Sequence, residues 1–118
     1  MRYKSSDQYR EDYNNLVKKA KENDINPNSQ PMRNFDKAIK ELRSAESRVN
    51  DLEQKLDQAR RDGDTQAISR LSKDIEAARR ALSKAGDNAR SKHLTAEVWL
   101  DGRIELRRSP PWKDEPPK

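Results

Sequence analysis

Two apolar heptad runs that mirror each other about Gly63–Asp64 constrain this chain more than any other feature. In the first run the a positions hold Phe35, Leu42, Val49 and Leu56, and the d positions hold Ala38, Ala45, Leu52 and Ala59. In the second, a is Ile68, Ile75 and Leu82, and d is Leu71, Ala78 and Ala85. Folding the chain at Asp62-Gly63-Asp64 stacks them as Ala59–Ile68, Leu56–Leu71, Leu52–Ile75, Val49–Ala78, Ala45–Leu82 and Leu42–Ala85. Most layers set an alanine against a larger residue, which fills the seam between two antiparallel helices at constant width. The competing arrangement is one continuous helix that dimerises. Gly63 argues against it, because glycine costs about 1 kcal/mol relative to alanine inside a helix, and Asp64 is a suitable N-cap for a second helix.

Charge patterning agrees with the fold-back. The antiparallel register sets Glu46 beside Arg79 and Lys55 beside Asp74, opposite in sign in both cases. Asp36/Lys40, Asp51/Lys55, Asp57/Arg61 and Glu76/Arg80 stand four apart with the acid first, the favoured order on a helix.

The remainder of the chain reads as appendages to this hairpin. Ser5 and Gln8 form a capping box that opens a helix over about 6–22, with Tyr9, Tyr13, Leu16, Val17 and Ala20 on one stripe. Asn23-Asp24 and Asn26-Pro27-Asn28 close it. Ala67, Ala77 and Ala81, outside the main seam, offer this helix a close approach, and Ile39 adds an apolar patch. Ser29 or Asn28 caps the first long helix, with Pro31 in its opening turn. The second long helix runs from Asp64 to about Ala85, where Gly86 offers a left-handed C-cap. Residues 87–93 then read as a linker, and residues 94–108 as a β-hairpin. Asp101-Gly102 stands between two β-rich runs, a strong two-residue turn signal, and the pairing puts Trp99, Ile104 and Leu106 on one face. Residues 109–118, Ser-Pro-Pro-Trp-Lys-Asp-Glu-Pro-Pro-Lys, form an extended Pro-rich tail. The expected fold class is therefore mainly α: an antiparallel two-helix coiled-coil hairpin at 29–86, an N-terminal helix and linker at 1–28, and a C-terminal β-hairpin and tail.

Composition excludes several functions. The chain has 118 residues, 40% charged and 31% apolar, so its core is thin. It has no cysteine and one histidine, which removes disulfides and thiolate chemistry and argues against a zinc site. Its three glycines stand far apart and make no phosphate loop. No metal or cofactor is expected. The longest apolar run, Val98-Trp99-Leu100, is far short of the roughly 20 residues of a membrane helix, and there is no apolar signal-peptide core. The expected location is the cytoplasm. The net charge of +5 divides as +1 over residues 1–30, +3 over 31–86 and +1 over 87–118. No segment is the basic block of a dedicated nucleic-acid binder.

The surfaces left without a partner point to a non-catalytic scaffold, adaptor or assembly protein. It would bind another protein chain through the C-terminal hairpin and tail, with Trp99, Ile104, Leu106 and Trp112 as the contact residues. The exposed stripe of the first helix also motivates a homo-oligomer. One alternative is a nucleic-acid-binding domain using Arg103, Arg107 and Arg108, with or without metal-independent RNA cleavage by His93, Glu97 and Arg108. The difficulty is spacing: on a strand, His93 and Glu97 stand about 13 Å apart. Another alternative is an inhibitor that acts by adding a strand to a partner sheet. The adaptor is preferred because Glu97, Asp101 and Glu105 alternate with the arginines and cancel their field.

Overall fold

In the computed structural model, which describes residues 4–108, the chain forms three helices: α1 (Ser6–Glu22), α2 (Gln30–Asp62) and α3 (Thr65–Arg108). The helix boundaries follow local chemistry. Ser5 accepts from the Gln8 backbone N–H while the Gln8 side chain accepts from the Ser5 N–H, completing the capping box. The Ser29 hydroxyl accepts from the Met32 N–H, and Pro31 lies in the first turn of α2, where no intrahelical donor is lost. Gly63, at φ 69°, ends α2; the N–H groups of Gly63 and Asp64 reach back to the carbonyls of Arg60 and Ala59. The Asp64 carboxylate then accepts from the Ala67 N–H and starts α3. Residues 63 and 64 thus close one helix and open the next without a spare residue.

α1 ends by the same device without a glycine. Asp24 adopts φ 56°. Its N–H bonds to the Lys21 carbonyl, and the Ile25 N–H bonds to that of Ala20. This is a Schellman closure, and its usual apolar contact is supplied by Ala20 and Ile25, both buried.

The core falls into two clusters. Between Val49 and Ala78, α2 and α3 form a two-helix arm that buries Val49, Leu52, Leu56, Ala59, Leu71, Ile75 and Ala78. All seven belong to the mirrored heptads. At the other end α1 joins the first half of α2 and the second half of α3 in a three-helix bundle, centred on Met32, Phe35, Ile39, Leu42, Ala89, Ala96 and Leu100. Contacts of Ser6 with Glu46 and of Arg10 with Asp36 set α1 antiparallel to α2. Contacts of Tyr9 with His93 and of Lys19 with Asp101 set it parallel to α3. The seam register persists into the bundle, where Ala38 and Ala89 are both buried and Phe35 stacks on His93.

The expected C-terminal β-hairpin is not there. Residues 94–108 continue α3, as do Gly86 and the supposed linker 87–93, and the described residues contain no strand. Burial is the physical reason. The core-facing positions of α3 keep a spacing of three or four from Leu71 through Ile75, Ala78, Leu82, Ala85, Ala89, His93, Ala96 and Leu100 to Ile104. A hairpin at 94–108 would have withdrawn Ala96, Leu100 and Ile104 from α1 and α2. Fully burying an aliphatic side chain of this size is worth about 1.5–3 kcal/mol, against about 1 kcal/mol for a glycine in a helix. Gly102 sits on the exposed side of α3, and Gly86 is buried inside it.

Two other expectations change. Ala77 and Ala81 are exposed, because α1 docks at the open end of the hairpin and not along the arm. Glu46 pairs with α1 in place of Arg79: both its carboxylate oxygens bind Ser6, one the backbone N–H at 2.9 Å and the other the hydroxyl. That puts a carboxylate at the first turn of α1, where the unsatisfied N–H groups favour negative charge. Arg79 reaches Glu53 instead, at 3.7 Å. Of the intrahelical pairs, Asp36–Lys40 forms at 3.2 Å, while Asp57 meets Arg60 and not Arg61.

Candidate interaction groove

α3 carries nearly all the residues singled out by sequence, and a helix distributes them differently from a hairpin. Ile104 is buried in the bundle core and is not available to a partner. Trp99 is half-buried against the edge of that core, and Leu106 is exposed. Arg103 and Arg107, four apart, fall on the same side of α3 as Trp99, whereas Glu105 falls on roughly the opposite side, at about 100° per residue. The alternation that would mix signs along a strand therefore separates them on the helix. Asp101 is taken up by Lys19 of α1 at 3.1 Å. Among the described residues Arg103 and Arg107 enter no ion pair.

Trp99, Arg103, Leu106 and Arg107 form one wall of an open groove of about 700 Å³. The other wall is the α1–α2 connection, including Ile25, Asn26 and Asn28. The Schellman closure of α1 fixes this wall, since Asp24 turns the chain and Ile25 is pinned in the core. The groove thus sets apolar Ile25 and Trp99 on facing walls, with an exposed leucine and two arginines beside Trp99. Trp112, the fourth expected contact residue, lies outside the described residues. For Arg108 only the backbone is described, at the last position of α3.

His93 has a different setting. Its ring stacks on Phe35, with centroids 5.0 Å apart and planes 18° from parallel, and meets the edge of Tyr9 at 6.0 Å. Tyr9 and Tyr13 also pack on Phe35, at 6.2 and 5.9 Å. The helix brings Glu97 to 3.7 Å from His93 Nε2, much closer than a strand would, and Asp12 lies 3.8 Å from Nδ1. The two carboxylates address opposite ring nitrogens and do not converge on one point. The backbone of Arg108 stands about 22 Å further along α3 than that of His93, at about 1.5 Å per residue. Lys4 is held by Asp12 at 2.7 Å and lies 5.5 Å from the Tyr9 ring centroid. That hydrogen bond raises the Lys4 ammonium above its usual range, and burial pushes the Tyr9 phenol up. His93 is a packing residue of the three-helix junction with a polar rim. On α1 and α2, burial favours protonation of Asp36, but hydrogen bonds from Arg10 and Lys40 outweigh it and hold the carboxyl below its usual range.

Among the described residues no cluster of His, Asp and Glu could hold a metal ion, and no helix is long and apolar enough to cross a membrane. Comparison with protein families, curated proteins and solved structures finds no match.

Proposed function

We propose that the chain is a non-catalytic adaptor or assembly protein that captures a partner protein in the groove at its bundle end, with the two-helix arm as a spacer. The observation that carries this reading is the convergence of Trp99, Leu106, Arg103 and Arg107 on the wall opposite Ile25. Aromatic and arginine side chains beside apolar surface are the usual anchors of protein interfaces. Two guanidinium groups that enter no ion pair among the described residues favour a partner segment that carries carboxylates. Strand addition loses its basis, because the described residues offer no sheet edge. The stripe of α1 that suggested a homo-oligomer is consumed within the chain, with Tyr9, Leu16 and Ala20 buried in the bundle.

A photo-crosslinking side chain at Leu106 of the full-length chain tests the reading in a lysate of the source cells. A discrete protein adduct is expected. It should be lost with Arg103→Glu plus Arg107→Glu, and should be absent when the crosslinker is placed at exposed Gln54 on the arm. Adducts to nucleic acid, or the same adducts from Gln54, would overturn it.

A further inference from the structure

We infer that the groove takes an extended acidic segment of its partner, with one large apolar side chain and carboxylates two and four residues away from it. This motif rests on the reading of the groove as a partner site and names what that partner presents. Trp99, Arg103 and Arg107 all line the groove and stand four residues apart on α3. Positions i, i+4 and i+8 form a ridge along a helix. At about 1.5 Å per residue, the ridge carries an aromatic residue and then two arginines at steps of about 6 Å. An extended chain rises about 3.3 Å per residue and turns every second side chain to the same side. Its residues i, i+2 and i+4 therefore follow one another at steps of about 6.6 Å, a match that the flexible arginine stems complete. Size favours the same form. The groove holds about 700 Å³, and over the roughly 12 Å from Trp99 to Arg107 this is a mean cross-section of about 60 Å². An extended strand needs about 50 Å², from spacings of about 4.8 and 10 Å. A helix about 10–12 Å across needs about 80–110 Å². Charge selects the acid. Arg103 and Arg107 are exposed and enter no ion pair among the described residues, and Asp24 is the one carboxylate that lines the groove with them. Guanidinium groups bind carboxylates through paired, charge-assisted hydrogen bonds. Ile25, Trp99 and Leu106 supply the apolar surface for the anchor.

Full-length ¹⁵N-labelled chain is titrated with a nine-residue peptide. It has phenylalanine at its centre, glutamates two and four residues away on both sides and serines between, so that either chain direction presents the motif. The indole N–H of Trp99, assigned with Trp112→Phe, and the backbone N–H groups of Arg103 and Arg107 are expected to shift and saturate together. Exchanging the glutamates with the serines keeps the composition but turns the carboxylates to the other side of an extended chain. Binding should weaken about tenfold, the scale of two exposed ion pairs. Arg103→Glu plus Arg107→Glu should abolish binding of the first peptide and confer binding of its lysine counterpart, with the far-UV circular dichroism unchanged. Arg103→Gln plus Arg107→Gln should bind neither. No shift at the groove overturns the motif, while a Leu106 crosslink to a protein leaves the partner reading standing. Equal binding of the two glutamate peptides overturns the extended register. Shifts centred on Arg48 and Lys55 of the arm overturn it as general attraction of anions. Tighter binding of an oligonucleotide of equal charge at the same residues overturns it in favour of a nucleic acid.

Discussion

Gly102→Ala separates a continuous α3 from a hairpin by the sign of its effect. Gly102 lies in an exposed turn of α3, flanked by buried Leu100 and Ile104, and a Cβ built on it meets nothing within 4 Å. Its φ is not positive, since Gly63 is the one described glycine in the left-handed region. Alanine there adds no clash and removes unfolded-state entropy, a gain of about 0.4–1 kcal/mol. The anchors on both sides keep residue 102 in the cooperative part of the helix, so the gain should register in global unfolding. With a urea m-value of about 1–2 kcal/mol/M for a small domain, the midpoint should rise by about half a molar with the slope unchanged. In a two-residue hairpin turn, Gly102 would need a positive φ, and alanine would cost about 1–2 kcal/mol. A lower urea midpoint for Gly102→Ala would refute the helical assignment.

Leu100→Ala, at a fully buried position, should cost about 2–5 kcal/mol in the same unfolding assay, whereas Val98→Ala, 71% exposed, should change stability by less than about 0.5 kcal/mol. Gly63→Ala should lose about 1 kcal/mol, a pure backbone effect because the site is open, and Asp24→Gly should gain up to about 1 kcal/mol by relieving φ 56°; thermal melts of the two variants should shift in opposite directions. Asp36→Asn should be less stable than the parent at neutral pH. The folded-state pKa of Asp36 is lowered, so its contribution is fully present above the ordinary carboxylate value of about 3.9. It is lost as pH falls through the folded value, and the two unfolding curves should converge in acid.

The arm was legible in sequence because its layers repeat and its turn carries its own chemistry. Gly63 and Asp64 can end and start helices whatever surrounds them, and every expected seam residue from Val49 to Ala78 is buried except Ile68, which is half-buried next to the turn. α1 was legible for the same local reason, through Ser5 and Gln8. What misled was a conflict between local and tertiary signals after Ala85. Gly86 resembles a C-cap and Asp101-Gly102 a turn, and Val98, Trp99 and Ile104 favour strands. Yet Ala89, Ala96, Leu100 and Ile104 extend the heptad spacing, and α1 and the first half of α2 supply the surface that rewards it. The signal was present in that spacing but two of its members are alanines, which weigh little in a hydrophobicity pattern. The groove shared this fate: Trp99, Leu106, Arg103 and Arg107 stood out by type, but their convergence on Ile25 depends on the helix and on the Asp24 turn, neither visible from residues 94–108 alone.

The bundle, the groove, the burial of Ile104 and the packing of His93 on Phe35 all depend on α3 running unbroken to its last residue. Backbone ¹³Cα and ¹³C′ secondary shifts of the isotopically labelled full-length chain read that course residue by residue. Helical, positive values without interruption from Thr65 to Arg108 are expected. A break at Gly86, or negative values over 94–100 and 103–108 on either side of Asp101-Gly102, would contradict it.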